Sequence, residues 1–127
     1  MLKPLAFAAP FVLLASAALS DSHATAESED AFDLGEIAVL MEAETDSEAA
    51  EKIFRKSCRA CHGNKGQGAS SYPNIAELEP EYVAEKLIRY RDGEKFGPNS
   101  VLMIQHAKKL SDEDIANLAI YVTSAFE

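Results

Sequence analysis

The pattern of apolar and polar positions predicts three helices in the C-terminal part of the chain, over about 46–56, over 80–91 and from 111 onwards. In each segment apolar residues recur every three or four positions, which is the spacing of one face of an amphipathic helix. Glycine- and proline-rich loops at 63–74 and 93–100 separate the segments, and strand signals are weak. The pattern therefore predicts a small all-α fold of about three main helices with loops between them.

Side chains near the expected helix starts match known capping arrangements. Thr45 and Glu48 have the spacing of a capping box, and Ser111 with Asp114 has a similar arrangement before the last helix. Pro80 is expected in the first turn of the second helix, where its missing N–H costs no hydrogen bond. These signals define where each of the three helices begins.

The first twenty residues have a pattern of their own. Lys3 precedes an apolar run over 5–19, broken by Pro10, and small residues come after it. The run is shorter than the roughly 20 apolar residues of a membrane-spanning helix, and its layout is that of a secretory signal peptide. We therefore expect a bacterial signal peptide over 1–20, cleaved between 18 and 24, a periplasmic location and no stable membrane insertion.

Charge is distributed unevenly along the rest of the chain. The net charge is −9, and residues 21–51 contain eleven acidic side chains and no Lys or Arg, whereas residues 52–127 contain ten acids and eleven bases. A one-signed segment beside a balanced one is typical of a solvated arm or linker. We therefore divide the remaining chain into an acidic lead-in segment at 21–45 and a domain at 46–127. The acidic balance argues against a nucleic-acid partner, because phosphate binding needs clustered Lys and Arg.

The lead-in segment is not uniformly polar. Its apolar residues are Phe32, Leu34, Ile37, Val39, Leu40 and Met41. Two interpretations stay open: a short helix that docks on the domain or on a partner, and a mobile tether. In either form the acidic segment could bind a basic patch on a redox enzyme.

Cys58, Cys61 and His62 belong to the sequence Cys-Arg-Ala-Cys-His, which holds the chain's only two cysteines. Two thiols three residues apart at the end of a helix can bond both vinyl groups of one haem, and the adjacent histidine then lies under the iron. This spacing is the signature of c-type haem attachment. We therefore expect one covalently bound haem c on Cys58 and Cys61, with His62 as an axial ligand.

Other uses of the two thiols fit less well. A structural zinc site needs four protein ligands, and the chain has two Cys and three His in all. A redox-active pair of the thioredoxin type needs a β-α-β context, which the pattern does not predict. A disulfide between Cys58 and Cys61 would close only a very short loop and restrain the unfolded chain little.

The second axial ligand is expected from the other side of the haem. Of the three methionines, Met1 belongs to the signal peptide and Met41 to the lead-in segment, which leaves Met103. Met103 lies between the loop at Pro98 and the last helix. Its alternative role is core packing, since Met fills irregular apolar gaps. His106, about one helical turn further on, is expected to face solvent.

With these features the domain resembles the class I cytochromes c, and in particular the small monohaem cytochrome c553 and c4-type domains. The resemblance covers about residues 46–127 and is specific at the haem motif and over 103–115, which resembles the ligand-methionine and final-helix signature. The other positions that carry it are Phe54, four residues before Cys58, Leu118 and Tyr121 on the last helix, and Pro73, which resembles the proline whose carbonyl orients the axial histidine. Ala50 departs from the family, because many members have glycine there.

Ligation of iron by histidine and methionine is the cytochrome c pattern, and it leaves no open position for a substrate. We therefore expect a periplasmic electron carrier that is not an enzyme and whose partners are redox proteins. One alternative is a dedicated cytochrome subunit of a periplasmic oxidoreductase complex, for example one that oxidises sulfur compounds. Another is a haem-based ligand sensor, which requires Met103 to be off the iron. Candidate steering groups for a partner are Lys56, Arg59, Lys65, Lys108 and Lys109.

Overall fold

The computed structural model describes residues 32–127. The helices in this part are α1 (Glu36–Glu42), α2 (Ser47–Ile53), α3 (Arg59–His62), α4 (Pro80–Arg91), α5 (Ser100–Ala107) and α6 (Asp112–Ser124), with a π-helical turn (Phe54–Cys58) between α2 and α3. Over residues 32–127 an isolated bridge between Ala69 and Tyr72 is the only strand-like pairing, so the prediction of an all-α fold is confirmed. The predicted signal peptide and residues 21–31 of the lead-in segment lie outside the described residues. None of the described helices is long and apolar enough to cross a membrane.

Two predicted helices lie where the sequence pattern placed them. α4 begins at Pro80 and ends at Arg91, as predicted. α6 begins after Ser111, whose hydroxyl accepts a hydrogen bond from the N–H of Asp114 at 3.0 Å. The Asp114 carboxylate accepts from the N–H of Ser111 at 3.0 Å in return, so the predicted capping box is confirmed.

The predicted capping box at Thr45 is wrong by one residue. The N-cap of α2 is Asp46, whose carboxylate accepts from the N–H of Ala49 at 2.9 Å. The N–H of Asp46 also donates to Oδ1 of Asn117, a buried amide on α6, at 3.0 Å. Asp46 therefore caps α2 and joins its start to the last helix.

α5 was not predicted, because its residues were expected in the connection between the second and last helices. Val101, Leu102, Met103 and Ile104 are four consecutive apolar residues, so they show no amphipathic spacing. No side chain caps the start of this helix. The segment therefore lacks both signals by which the other helices were recognised, and Met103 lies on a helix rather than in a loop.

The core forms around α6, which packs against α1, α2 and α4. Its inward face is fully or almost fully buried and consists of Ile115, Ala116, Leu118, Ala119 and Val122. This face packs against Ala50 of α2 and Phe54 of the π-helical turn, and against Val83 and Ala84 of α4. Several of these side chains are alanines, which let helix backbones approach closely. Ala50 is completely buried, so one methyl group fits at the position where many class I cytochromes c have glycine.

α1 shows which of the two interpretations of the lead-in segment holds at its C-terminal end. Its residue Ile37 is 3% exposed and belongs to the same core as Ile115 and Leu118 of α6. Leu40 and Met41 are partly buried against that core. Residues 32–127 form one compact unit that includes this helix. The end of the lead-in segment is therefore a helix docked on the domain.

Candidate haem-binding site

The helix that carries the cysteines changes its winding just before them. In the π-helical turn the N–H of Arg59 bonds to the carbonyl of Phe54, five residues earlier. Relative to a continuous α-helix this inserts one extra residue, which rotates the haem motif about the helix axis by about 100°. Phe54, at 1% exposure, faces the core, while Cys58, Cys61 and His62 continue in a different register. Turns of this kind are common at functional sites.

The two thiols are free and half-buried. Burial raises the pKa of the Cys58 thiol to about 11, and the neighbouring Cys61 adds to the shift. At neutral pH Cys58 is therefore a protonated thiol in a partly apolar site. The thiols of Cys58 and Cys61 lie at the end of one helix, where each could form a thioether bond by adding its S–H across a haem vinyl group.

His62 is held by the loop after α3. The ring is 6% exposed, and its Nδ1 lies 2.9 Å from the carbonyl oxygen of Pro73. A carbonyl can only accept, so Nδ1 must carry the hydrogen and Nε2 keeps its lone pair. The ring of Tyr72 packs against the imidazole edge at 6.4 Å between centroids. The contact between His62 and Pro73 is the one that the family resemblance implied.

The loop reaches back to His62 through glycine residues. α3 ends at Gly63, whose φ of +85° suits glycine. The N–H of Gly68 then donates to the carbonyl of His62 at 2.7 Å. Gly68 has a φ of +76°, and a Cβ there would lie 2.6 Å from the carbonyl oxygen of Tyr72. Glycine at this position therefore lets the chain pass close enough for Pro73 to meet the histidine.

Met103 is half-buried on α5. Its N–H bonds to the carbonyl of Asn99 at 3.4 Å. His106, one turn later on the same helix, is exposed as predicted. The five candidate steering groups, Lys56, Arg59, Lys65, Lys108 and Lys109, are all exposed.

Sequence reasoning did not single out Asn99, Ser100 or Ser71. The side chain of Asn99 donates to the hydroxyl of Ser71 at 3.1 Å. The buried Ser100 accepts from the N–H of Phe96 and of Gly97, at 2.8 and 2.9 Å. The bond from Asn99 to Ser71 has no sequence signal, since it depends on how two loops meet in space, whereas the bonds of Ser100 lie within one loop.

The donor set fits a c-type haem. It offers two thiols for covalent attachment of the haem. It also offers an imidazole whose Nε2 is free for iron and a thioether on a separate helix, which are the iron ligands of His/Met cytochromes. The hydrogen bond from His62 to Pro73 is of the kind that fixes the tautomer of a metal-binding histidine. A small helical fold with these groups defines a c-type cytochrome.

Comparison with known proteins agrees with this class. Residues 45–122 match the family described as cytochrome c oxidase, cbb3-type, subunit III, and the chain belongs to this family of cytochrome c domains. It is 46% identical over 69 residues to cytochrome c-554(548) of Halomonas halodenitrificans, an alignment that covers 54% of this chain and 83% of that protein. The family and the Cys-x-x-Cys-His motif together show that the chain carries one covalently bound haem c.

Two further relatives extend the comparison. Cytochrome c-554(547) of Halothiobacillus neapolitanus is 30% identical over 87 residues, which cover 62% of this chain and 96% of that protein. The cytochrome subunit of sulfide dehydrogenase from Chlorobaculum tepidum is 35% identical over 75 residues, which cover 59% of this chain and 66% of that protein. The matched family region begins at residue 45, so α1 lies outside it.

Proposed function

We propose that this protein is a periplasmic electron carrier whose haem is attached to Cys58 and Cys61 and ligated by His62 and Met103. The observation that carries the proposal is the hydrogen bond from His62 Nδ1 to Pro73 beside the two thiols. It leaves Nε2 as the one ring atom that can bind iron. The haem supplies one-electron redox chemistry when bound.

The remaining residues hold the site in one arrangement. Burial of His62 and its bond to Pro73 fix the orientation of the imidazole. Met103 would supply the second protein ligand of the iron, and a thioether ligand favours the reduced state. With both ligands supplied by His62 and Met103, the haem would exchange single electrons with a redox partner and would have no open position for a substrate.

A spectrum of the holoprotein tests the ligation. Ferric haem with a methionine–iron bond has a weak absorption band in the far red. We expect this band in the wild type, its loss in Met103→Ala, and its retention in Met41→Ala, which removes a half-buried methionine outside the site. A wild-type protein without the band, or Met103→Ala with it, contradicts ligation by Met103.

Covalent attachment and export have separate tests. Haem that stays with the chain on a denaturing gel in the wild type, but not in Cys58→Ser/Cys61→Ser, supports covalent attachment through this pair of cysteines. Recovery in the periplasmic fraction, with a mature N-terminus between residues 18 and 24 by mass spectrometry, supports the signal peptide. An uncleaved chain in the cytoplasm contradicts the proposed location.

A dedicated cytochrome subunit is the second candidate function. It is favoured by the similarity to the cytochrome subunit of sulfide dehydrogenase. Gel filtration of a periplasmic extract, monitored by haem absorbance, separates the two functions. Elution in a larger complex whose haem is reduced on addition of sulfide supports the subunit, whereas elution at the size of one chain without that reduction supports a free carrier.

A further inference from the structure

Asn99, the residue before α5, makes hydrogen bonds in two directions. Its backbone carbonyl accepts from the N–H of Leu102 at 3.1 Å and from that of Met103 at 3.4 Å. Its side-chain Nδ2 donates to the hydroxyl of Ser71 at 3.1 Å, across 28 positions of sequence. One half-buried residue therefore contacts both the backbone of Met103 and a loop far away along the chain.

Ser71 belongs to the loop that orients His62. It lies in a tight turn in which Ala69 and Tyr72 exchange backbone hydrogen bonds at 2.9 and 3.1 Å. Pro73, two residues after Ser71, carries the carbonyl that accepts from His62. The bond from Asn99 to Ser71 therefore joins the histidine loop to the start of the methionine helix.

Ser100, the first residue of α5, bonds to the loop that precedes the helix. Its side chain is almost completely buried, at 2% exposure. The hydroxyl accepts from the N–H of Phe96 at 2.8 Å and from that of Gly97 at 2.9 Å. These bonds hold the loop before α5 against its first turn, next to Asn99.

We infer that Asn99 is a positioning residue for Met103, which keeps the sulfur on the iron by tying the methionine helix to the histidine loop through Ser71. The inference rests on the proposed ligation by Met103. The bond is solvent-exposed, so its loss should raise the fraction of molecules with Met103 off the iron about three- to tenfold.

Imidazole binding to the ferric holoprotein measures that fraction. External imidazole binds iron only where Met103 has left, so its apparent affinity is proportional to the open population. We expect Asn99→Ala and Ser71→Ala each to bind imidazole about three- to tenfold more tightly than the wild type. The double variant should resemble either single variant, because each change removes the same bond.

A matched control separates positioning from general loss of stability. Ser111→Ala removes the capping box of α6 and lowers the stability of the whole fold without contacting α5's first turn. It should leave the imidazole affinity at the wild-type value, while urea unfolding shows the expected destabilisation. An equal rise in imidazole affinity in Ser111→Ala would show that stability alone controls the opening and would overturn the inference.

The other outcomes are also decisive. Wild-type imidazole affinity in both Asn99→Ala and Ser71→Ala overturns the positioning role while the far-red band of the wild type still supports Met103 as ligand. Effects that simply add in the double variant overturn the role of the bond between the two residues. A wild type that lacks the band and binds imidazole as tightly as Met103→Ala overturns the proposed ligation itself.

Discussion

Gly68 is the single residue on which the geometry of the histidine loop depends most directly. A Cβ at this position would clash with the carbonyl oxygen of Tyr72, and it would also lie 2.7 Å from backbone atoms of both Pro73 and Asn74. These neighbours are main-chain atoms, which cannot rotate away as a flexible side chain can. Any larger residue must therefore move the segment that carries the carbonyl bonded to His62.

Replacing Gly68 by alanine should cost more stability than the same change at Gly93. Gly93 has a similar positive φ of +92° but nothing within 4 Å of an added Cβ, so Gly93→Ala should cost about 1 kcal/mol of backbone strain alone. Gly68→Ala adds the clash, for a total of roughly 3 kcal/mol. Urea unfolding of the two holoproteins measures the difference, and equal losses would contradict the close approach.

The carboxyl group of Glu94 should titrate at an unusually low pH. Arg89 donates two hydrogen bonds to it, one from Nε at 2.6 Å, and these bonds lower its pKa, helped by the charges of Arg89 and Lys86. The pair's contribution to stability is therefore present above the ordinary glutamate pKa, about 4.3, and is lost as the pH falls through the lower folded value. Because Glu94 is exposed and the ion pair is open to solvent, the contribution is small.

An NMR titration of the holoprotein checks this assignment. Glu94 should titrate below the ordinary range in the wild type and return to it in Arg89→Met, which keeps the apolar length of the side chain. Lys52→Met is the control, because it removes an exposed cation whose partner is Glu48 rather than Glu94. An unshifted wild-type Glu94 would contradict the paired geometry.

Among the elements, α1 offers the clearest test of packing. Ile37 is 3% exposed, whereas Val39 on the same helix is 67% exposed. We expect Ile37→Ala to lower the free energy of unfolding by about 2–4 kcal/mol and Val39→Ala to change it by less than about 0.5 kcal/mol. Urea unfolding measured by circular dichroism tests both, and a neutral Ile37→Ala would mean that α1 is not held on α6.

The elements differ in how far the sequence could predict them. α4 and α6 combine amphipathic spacing with a proline start or a capping box, so their positions are set by local chemistry. α5 has neither signal, and its placement rests on the bond from Asn99 to Ser71 and on packing against α4. The π-helical turn at Phe54 has no sequence pattern of its own, since it depends on how α2 and the haem motif must face different neighbours.

The residues of the haem site also differ in how far the sequence could predict them. Cys58, Cys61 and His62 are close together in sequence, and their spacing alone indicates the chemistry. The partner of His62 was expected at Pro73 through the family resemblance rather than through any pattern in this chain. The bond from Asn99 to Ser71 spans two loops whose meeting depends on the whole fold, so no local signal could indicate it.

For the whole molecule, the small core predicts that the stability of the fold depends on the haem. Within residues 32–127, Phe54 and Ile115 are the largest fully buried side chains, and much of the remaining core is alanine. Small domains with few large buried side chains commonly gain stability from an additional group such as a cofactor. We expect Cys58→Ser/Cys61→Ser, which cannot retain haem covalently, to lose the cooperative unfolding transition and most helical circular dichroism at room temperature.

The matched control for that experiment keeps the haem. Ser57→Ala changes a neighbouring half-buried residue of the same turn without removing a thiol, and it should unfold cooperatively like the wild type. A haem-free double variant with native helix content and a sharp urea transition would contradict the expected dependence on haem.

The burial of Cys58 has a consequence for the order of events during biosynthesis. In the folded chain its thiol is partly enclosed, and its pKa is raised to about 11, so it is a poor nucleophile at neutral pH. In the extended chain the same thiol is open to solvent and has an ordinary pKa. Attachment is therefore expected before the chain has fully folded, while Cys58 is still open to solvent.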